Sequence, residues 1–298
     1  FWLAATPVLF VVLWSTGFIG AKFGLPYTEP FTFLAVRLLI AAGLLSLLAW
    51  SMRAPWPREP RLIAHITVAG LLVHAGYLGG VFYAIAQGMS AGVVSIIVAV
   101  QPLLTAGLAG RLLGERVGPQ QWFGLVLGLL GVLLVVWSRL SNEGSLQALT
   151  AALIALLAIT AGTLYQKRFC PDSDIRTAGT IQYGSSGLVL LLLAAATESM
   201  HIRWTGEFLF ALAWLVLVLS VGAVGLLFTL IRHGAASRVA SLFYLAPPMT
   251  AMFGYLLFRE TLSPAALLGL VVVMAGVLLV NLPGSRPEAA SLVPSAQR

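Results

Sequence analysis

The sequence contains ten apolar stretches of about 20 residues each, separated by short polar segments. A helix needs about 20 apolar residues to cross the hydrocarbon core of a bilayer. Only 9% of the 298 residues are charged, whereas a soluble domain carries about 25%. Ten transmembrane helices are therefore predicted, the third being the least regular because it is rich in glycine and polar aromatics. Their spans are 3–22, 31–50, 62–86, 90–111, 119–138, 148–167, 177–197, 207–231, 236–257 and 265–282.

The net charge of +7 could indicate a nucleic-acid partner, but the positions of the charges indicate a membrane topology instead. Lysine and arginine collect on the cytoplasmic side of a membrane protein. One set of alternate loops holds Arg53, Arg58, Arg61, Arg111, Arg116, Lys167, Arg168, Arg176, Arg232, Arg238, Arg286 and Arg298, and the other holds Lys22, Arg139, Arg203 and Arg259. We expect an inner-membrane protein in a lipid bilayer, with both termini cytoplasmic, no nucleic-acid partner and no removed signal peptide.

A passage in the middle of the chain recurs 145 residues later. "QPLLTAGLAGRLLGERVGP" begins at Gln101, and its echo "APPMTAMFGYLLFRETLSP" begins at Ala246. The same offset aligns "WSTGFIGAKFGLP" with "ITAGTLYQKRFCP", and "GLVLGLLGVLLVV" with "GLVVVMAGVLLVN". Apolar helices match by chance in their aliphatic residues, but hardly in proline, lysine and glutamate. The chain is therefore predicted to be a duplication, with repeats at 1–145 and 146–282 and a disordered cytoplasmic tail at 283–298.

Each repeat holds five helices, an odd number, so the second repeat enters the membrane from the opposite side. Two such repeats are related by a pseudo-two-fold axis in the membrane plane, as in many secondary transporters, whose substrate site lies near the midplane between the halves. The predicted fold class is all-α integral membrane, with ten transmembrane helices in two inverted five-helix repeats. Two nearly equivalent halves can exchange conformations, which favours alternating access.

The residues resemble a known family. "WSTGFIGAK", "QPLLTAGLAGRLLGERVGPQQWFGLVLGLLGVLL" and its echo are similar to the drug/metabolite transporter superfamily, and more closely to its ten-helix EamA type. That type includes bacterial exporters of amino acids and related metabolites. The resemblance implies export of small neutral metabolites, with aromatic and neutral amino acids the nearest match. We expect a monomer without a cofactor.

Polar residues inside the spans are the candidate substrate-binding groups, because they are costly in lipid unless they face a cavity or a partner. The candidates are Trp14, Ser15, Thr16, His74, Tyr77, Tyr83, Ser95, Gln101, Thr160, Thr163, Gln166 and Tyr244. His74 and Tyr77 are three residues apart and share a helix face. The second repeat does not copy them, which fits substrate recognition rather than scaffold. Close helix packing or a hydrogen bond to a neighbouring helix would also account for any of these side chains.

Four further residues are candidates for a hinge or a gate. Pro102 and Pro247 each remove a backbone donor within a span and are present in both repeats, so they are either shared hinges or static kinks. Lys22 and Lys167 end spans one and six on opposite sides of the membrane. They are either gate residues or cations that suit the helix dipole. Arg37, the sole charge deep inside a span, could bind a substrate carboxylate or anchor helices.

Other classes of function lack their residues. All ten acidic residues lie in loops or at span ends, which disfavours a multidrug-cation antiporter. Cys170 has no second cysteine to pair with and no metal motif around it, and neither a phosphate-binding loop nor an activated nucleophile is present. We therefore expect no metal site and no enzyme. A nucleotide-sugar or phosphorylated-metabolite carrier, a lipid-modifying membrane enzyme and a receptor or scaffold remain as alternatives.

Overall fold

The computed structural model describes residues 2–101, 103–105, 108, 119–140, 145–171, 173–223, 226 and 246–281. Ten helices account for most of them: α1 Trp2–Gly24, α2 Pro30–Ser51, α3 Pro60–Ala86, α4 Ala91–Val98, α5 Pro119–Leu140, α6 Leu146–Phe169, α7 Ile175–Thr197, α8 Gly206–Ala223, α9 Ala246–Phe258 and α10 Pro264–Asn281. In the described part, six of them are long and apolar enough to cross a membrane. Each helix coincides with one predicted span, so the ten-helix prediction is confirmed.

The starts of the helices follow from local sequence. Four of them begin with proline, which lacks the amide hydrogen that a first helical residue leaves unpaired in any case: Pro30, Pro60, Pro119 and Pro264. The side chain of Asp174 caps α7 by accepting from the backbone N–H of Arg176 at 3.0 Å. The Arg176 guanidinium also donates to this carboxylate at 2.7 Å, and these hydrogen bonds lower the pKa of Asp174.

Two helices contain π-helical segments, and the segments occupy equivalent positions. The segment in α3 spans Leu71–Leu78, and the segment in α8 spans Trp214–Ala223. Adding 145 residues to the first places it at 216–223, inside the second. A π segment widens the helix and often marks a functional site. The irregularity of span three was predicted from its composition, whereas that of α8 was not.

Helices at equivalent positions of the two halves pack against each other through glycines. Between α5 and α10, a Cβ on Gly131 would lie 2.8 Å from the carbonyl oxygen of Gly269. A Cβ on Gly276 would lie 2.6 Å from the carbonyl oxygen of Gly124. Each contact is the copy of the other, because Gly276 follows Gly131, and Gly269 follows Gly124, by 145 residues. Reciprocal contacts of this kind mark a two-fold axis between α5 and α10.

The α2 and α7 helices meet in the same reciprocal way. The repeated contacts are Gly187 with Leu39 and Gly184 with Ala42. Elsewhere the two halves cross. Gly17 of α1 faces Leu219 of α8, and its counterpart Gly162 of α6 faces Val73 of α3. The π segments therefore each lie against the first helix of the opposite half.

Polar groups tie the two halves together at the side of the membrane where α1 ends, which we call the Lys22 side. The ammonium of Lys22 pairs with the carboxylate of Glu260 just beyond α9, and the same oxygen accepts from the backbone N–H of Ala91 at 3.3 Å. We call these three groups the Lys22 latch. Glu198, at the end of α7, accepts from the backbone N–H of Thr32 at 2.7 Å and so caps α2 from the other half. On the Lys22 side, these contacts close the interface between the halves.

Candidate substrate cavity

A cavity of about 120 Å³ lies between the two halves. Its wall comes from six helices, three in each half, and includes residues of both π segments: Trp14, Gly17, Phe18, Arg37, Val73, His74, Tyr77, Leu78, Val81, Phe82, Ile159, Tyr183, Leu219 and Ser220. Most of these side chains are apolar or aromatic, with a few polar groups set among them. A ligand site in a protein has this composition. The described lining includes no carboxylate.

Arg37 brings the one formal charge into the described lining, from a position about two turns into α2. The side chain is buried, with 3% of its surface exposed. Its Nη2 lies 3.5 Å from Oγ of Ser220, the outer limit of a hydrogen bond. Within the described part of the chain, Nε and Nη1 have no hydrogen-bond partner. The guanidinium carbon stands 5.9 Å from the centre of the Phe82 ring, which offers a weak cation–π contact.

His74 stands on the α3 wall and is oriented by α7. Its Nε2 lies 3.3 Å from Oε1 of Gln182, and its ring centroid lies 4.5 Å from that of Tyr183. An amide oxygen only accepts, so this pairing makes Nε2 the donor and leaves Nδ1 as an acceptor. Gln182 is the repeat counterpart of Arg37. At equivalent positions, one half therefore orients a neutral imidazole and the other carries a guanidinium.

The structure brings three of the predicted substrate-binding residues together on the cavity wall: Trp14, His74 and Tyr77. Ser15 is instead buried where α1 meets α9, with Oγ 2.7 Å from the carbonyl of Val11 and its own carbonyl 3.3 Å from the hydroxyl of Thr250. The hydroxyl of Thr16 donates to the Leu13 carbonyl at 2.6 Å and accepts from the indole of Trp214 at 2.9 Å. These two polar groups join helices.

The remaining candidates within the described residues do not line the cavity. Hydroxyls bond the preceding turn of their own helix in Ser95 and Thr160. Gln101 donates to Thr163 at 3.3 Å and so joins α4 to α6. The ring of Tyr83 stacks on Phe31 with centroids 5.8 Å apart, and Gln166 is exposed. Tyr244 lies outside the described residues. The roles assigned to all of these from the sequence stay predictions.

Among the hinge and gate candidates, Lys22 has the best-defined contacts, in the latch described above. Pro247 is buried, and it is the second residue of the described part of α9. Lys167 lies in the last turn of α6. Pro102 lies outside the described residues, as does Glu115. No gate or hinge function is measured by these positions, so the assignments stay predictions.

Sequence reasoning underweighted three residues of the wall. Arg37 was noted as the sole charge inside a span, and that signal alone could have placed it in the cavity. Tyr183 directly follows Gln182, the repeat counterpart of Arg37, so the position of Arg37 could also have indicated Tyr183. Ser220 carried no signal of its own, but the 145-residue offset makes it the counterpart of Ala75, which follows His74 in the π segment of α3.

Ten helices, six of which are long and apolar enough in the described part to cross a membrane, and a small cavity between two halves are the architecture of a multi-pass membrane transporter. The comparisons with known proteins agree. The model of the EamA-like transporter family matches the chain twice, at residues 2–137 and 146–282. The chain belongs to this family, within the drug/metabolite transporter superfamily.

Individual relatives cover nearly the whole chain. A chloroplastic WAT1-related protein of Arabidopsis thaliana is 31% identical over 282 residues, covering 91% of this chain and 67% of that protein. A probable amino-acid metabolite efflux pump of Salmonella typhimurium is 26% identical over 290 residues, covering 94% of each. One solved crystal structure superposes with a TM-score of 0.65 at 18% identity, covering 92% of this chain and 94% of that one. This last likeness concerns the fold alone.

Proposed function

We propose that this protein exports small neutral metabolites, among them neutral and aromatic amino acids, by alternating access through the cavity between its halves. The observation that carries the proposal is the cavity itself, which combines aromatic walls with a guanidinium and an imidazole. An aromatic face accepts an apolar side chain or an ammonium group. The similarity to the probable amino-acid metabolite efflux pump of Salmonella typhimurium supports the same substrate class.

The distribution of Lys and Arg supports a location in the bacterial inner membrane with both termini in the cytoplasm. With that orientation the Lys22 side faces outward. The latch then closes the cavity on the outer side, as in the state of an exporter that binds its substrate from the cytoplasm. The protein acts as a monomer in this proposal, because the cavity is built from one chain.

A carrier of nucleotide-sugars or phosphorylated metabolites is the main alternative within the superfamily. Such substrates bring two or more negative charges, whereas the described lining offers one cation, Arg37. This observation favours a substrate with at most one net negative charge.

Uptake into liposomes tests the proposal directly. Purified protein is reconstituted, and the uptake of labelled tryptophan, phenylalanine, threonine, methionine and one nucleotide-sugar is compared with that of protein-free vesicles. We expect saturable uptake of amino acids without an imposed ion gradient. If no amino acid enters, even with a proton gradient, the substrate assignment is wrong. Uptake of the nucleotide-sugar alone would favour the alternative.

The variant His74→Leu gives a sharper version of this experiment. Leucine occupies the equivalent position of the second half, Leu219, so the π segment of α3 should accept it. The variant removes an acceptor from the cavity and leaves Gln182 without its partner. A net hydrogen bond contributes about 1 kcal/mol, and more if it is charged, so we expect uptake at low substrate to fall about tenfold. His65→Leu is the matched control, because His65 lies on the same helix outside the cavity wall, with Nδ1 2.8 Å from the hydroxyl of Tyr165; equal uptake by both variants would remove His74 from the site.

A further inference from the structure

We propose that Arg37 binds the carboxylate of the transported substrate, so that the cavity takes small monocarboxylates with an apolar or aromatic remainder. This inference rests on the proposed function in one respect, which is that the substrate occupies this cavity. Five observations support it: the burial of the guanidinium, its unused hydrogen-bond donors, the pairing of described surface carboxylates with other groups, the neutral counterpart of Arg37 in the other half, and the chemistry of the cavity wall.

The guanidinium is buried without compensation among the described residues. Arg37 is 3% exposed, so its side chain does not reach either interface, and a role as a snorkelling anchor is excluded. Within the described part, Nε and Nη1 have no hydrogen-bond partner, and the one hydrogen bond of this side chain is to Ser220 at 3.5 Å. A buried cation without partners is costly. A protein keeps such a charge where a ligand supplies the partner.

Four acidic residues in the described part of the membrane surfaces bond to other groups. Glu29 accepts from Ser199, and Glu198 caps α2. Glu260 pairs with Lys22 in the latch, and Asp174 pairs with Arg176. Among the described residues, no carboxylate lines the cavity beside Arg37, so we assign the negative charge that would satisfy it to a molecule that enters the cavity.

The other half shows that the scaffold needs no charge at this position. Gln182, the counterpart of Arg37, is buried on α7 and hydrogen-bonds His74 with a neutral amide. Both residues face the π segment of the opposite half, because Arg37 contacts Ser220 as Gln182 contacts His74. A neutral side chain can thus occupy this position of the fold, so the charge of Arg37 serves something other than the packing of α2.

The wall chemistry defines the rest of the ligand. A guanidinium presents donors in a plane that matches a carboxylate. Trp14, Tyr77 and Leu219 line the same space and suit an apolar or aromatic group. An ammonium group of a zwitterion would find the free Nδ1 of His74 and the aromatic faces. A phosphate dianion would bring two charges to a single cation.

Ligand-dependent thermal unfolding of the purified protein in detergent tests this assignment without relying on transport. The probes are L-phenylalanine, L-methionine, 3-phenylpropionate, L-phenylalaninamide and inorganic phosphate. We expect the carboxylates to raise the melting temperature of the wild type, and the amide and phosphate to leave it unchanged. In Arg37→Gln the dissociation constant of each carboxylate should rise about 10- to 100-fold, since a charged hydrogen bond contributes about 1.5–3 kcal/mol. Arg37→Lys keeps the charge but loses the planar pair of donors, so its dissociation constant for carboxylates should lie between those of the wild type and Arg37→Gln.

A structural role gives a different pattern. Without ligand, Arg37→Gln should melt at or above the temperature of the wild type, because it removes an unpaired buried charge; a helix anchor would melt lower. Equal binding of phenylalanine and its amide by the wild type would overturn the proposal, as would binding of phosphate alone or of no carboxylate. Carboxylate binding without amino-acid uptake would reject the proposed function and keep Arg37 as an anion site. Amino-acid uptake that L-phenylalaninamide inhibits as strongly as L-phenylalanine does would reject the role of Arg37 and keep the proposed function.

Discussion

Replacing Lys22 by methionine should open the Lys22 side of the transporter to water-soluble reagents and slow transport. The change removes the ammonium that pairs with Glu260 and keeps most of the aliphatic stem. The Glu260 side chain is only 9% exposed, so it would lose its charge partner in a poorly hydrated site. Among the described residues, the backbone N–H of Ala91 is the donor that would remain to this carboxylate. The state in which the two halves meet on this side loses stability relative to the open one.

The effect should be large because the contact holds opposite halves. A charged hydrogen bond contributes about 1.5–3 kcal/mol, and 1.4 kcal/mol is a factor of ten in an equilibrium. We therefore expect a cysteine at Val81, on the buried cavity wall, to react about tenfold faster with a membrane-impermeant maleimide added from the Lys22 side. The measurement uses a Cys170→Ser background, since Cys170 is the only native cysteine. Amino-acid uptake should fall in the same variant.

Three controls decide between a latch and a simple dipole cap. The exchange Lys22→Glu with Glu260→Lys restores the pair, so labelling and uptake should return toward wild type. Arg259→Asn removes a neighbouring exposed cation in a left-handed backbone conformation, φ 56°, that asparagine tolerates, and should change neither. Unchanged labelling in Lys22→Met would show that Lys22 only suits the end of α1. Lys167 and Glu115 match this pair at the 145-residue offset, so Lys167→Met should shift labelling at Val81 in the opposite direction.

The sequence was sufficient to predict the ten helices and the duplication. The helices follow from apolar length, which a bilayer imposes directly, and the duplication follows from proline, lysine and glutamate that recur at a fixed offset of 145 residues. Glycine and polar aromatics around His74 and Tyr77 also located the irregular part of α3. The α8 segment "WLVLVLSVGA" shows no such composition, and its π geometry could be expected only by carrying the α3 irregularity across the offset.

The faces of the helices could not be predicted in the same way. In a membrane, residues that meet lipid and residues that meet protein are both apolar, so periodicity does not separate them as it does in a soluble helix. Hydroxyl groups add a second ambiguity, because they can bond the preceding turn of their own helix. Ser95 and Thr160 form such bonds. Trp14, which was selected by the same criterion of a polar group inside a span, lines the cavity. Arg37 was the informative residue, since a charge inside a span needs a specific reason.

The close pairing of α5 and α10 leads to the second large effect, which is on stability. Gly131→Ala should lower the melting temperature, because the added methyl would lie 2.8 Å from both the carbonyl oxygen of Gly269 and the backbone nitrogen of Val273. Backbone atoms cannot rotate away as a side chain can, so the helices must separate along their contact. Overpacking of this kind costs about 1–3 kcal/mol. Gly276→Ala, the reciprocal change, should cost a similar amount.

The double variant gives the most informative comparison. Once one methyl has separated the two helices, the second meets a wider gap, so the double variant should cost less than the sum of the single changes. Gly43→Ala is the matched control, because this helical glycine of α2 has nothing within 4 Å of an added Cβ; alanine there should be neutral or slightly stabilising. Thermal unfolding in detergent measures all four proteins. Melting of Gly131→Ala at the temperature of Gly43→Ala would contradict the close backbone contact. Neither α5 nor α10 contributes to the described cavity wall. The folded fraction of the Gly131→Ala and Gly276→Ala variants should therefore bind ligand as the wild type does, because the contact between α5 and α10 supports the fold whereas the cavity helices recognise the substrate.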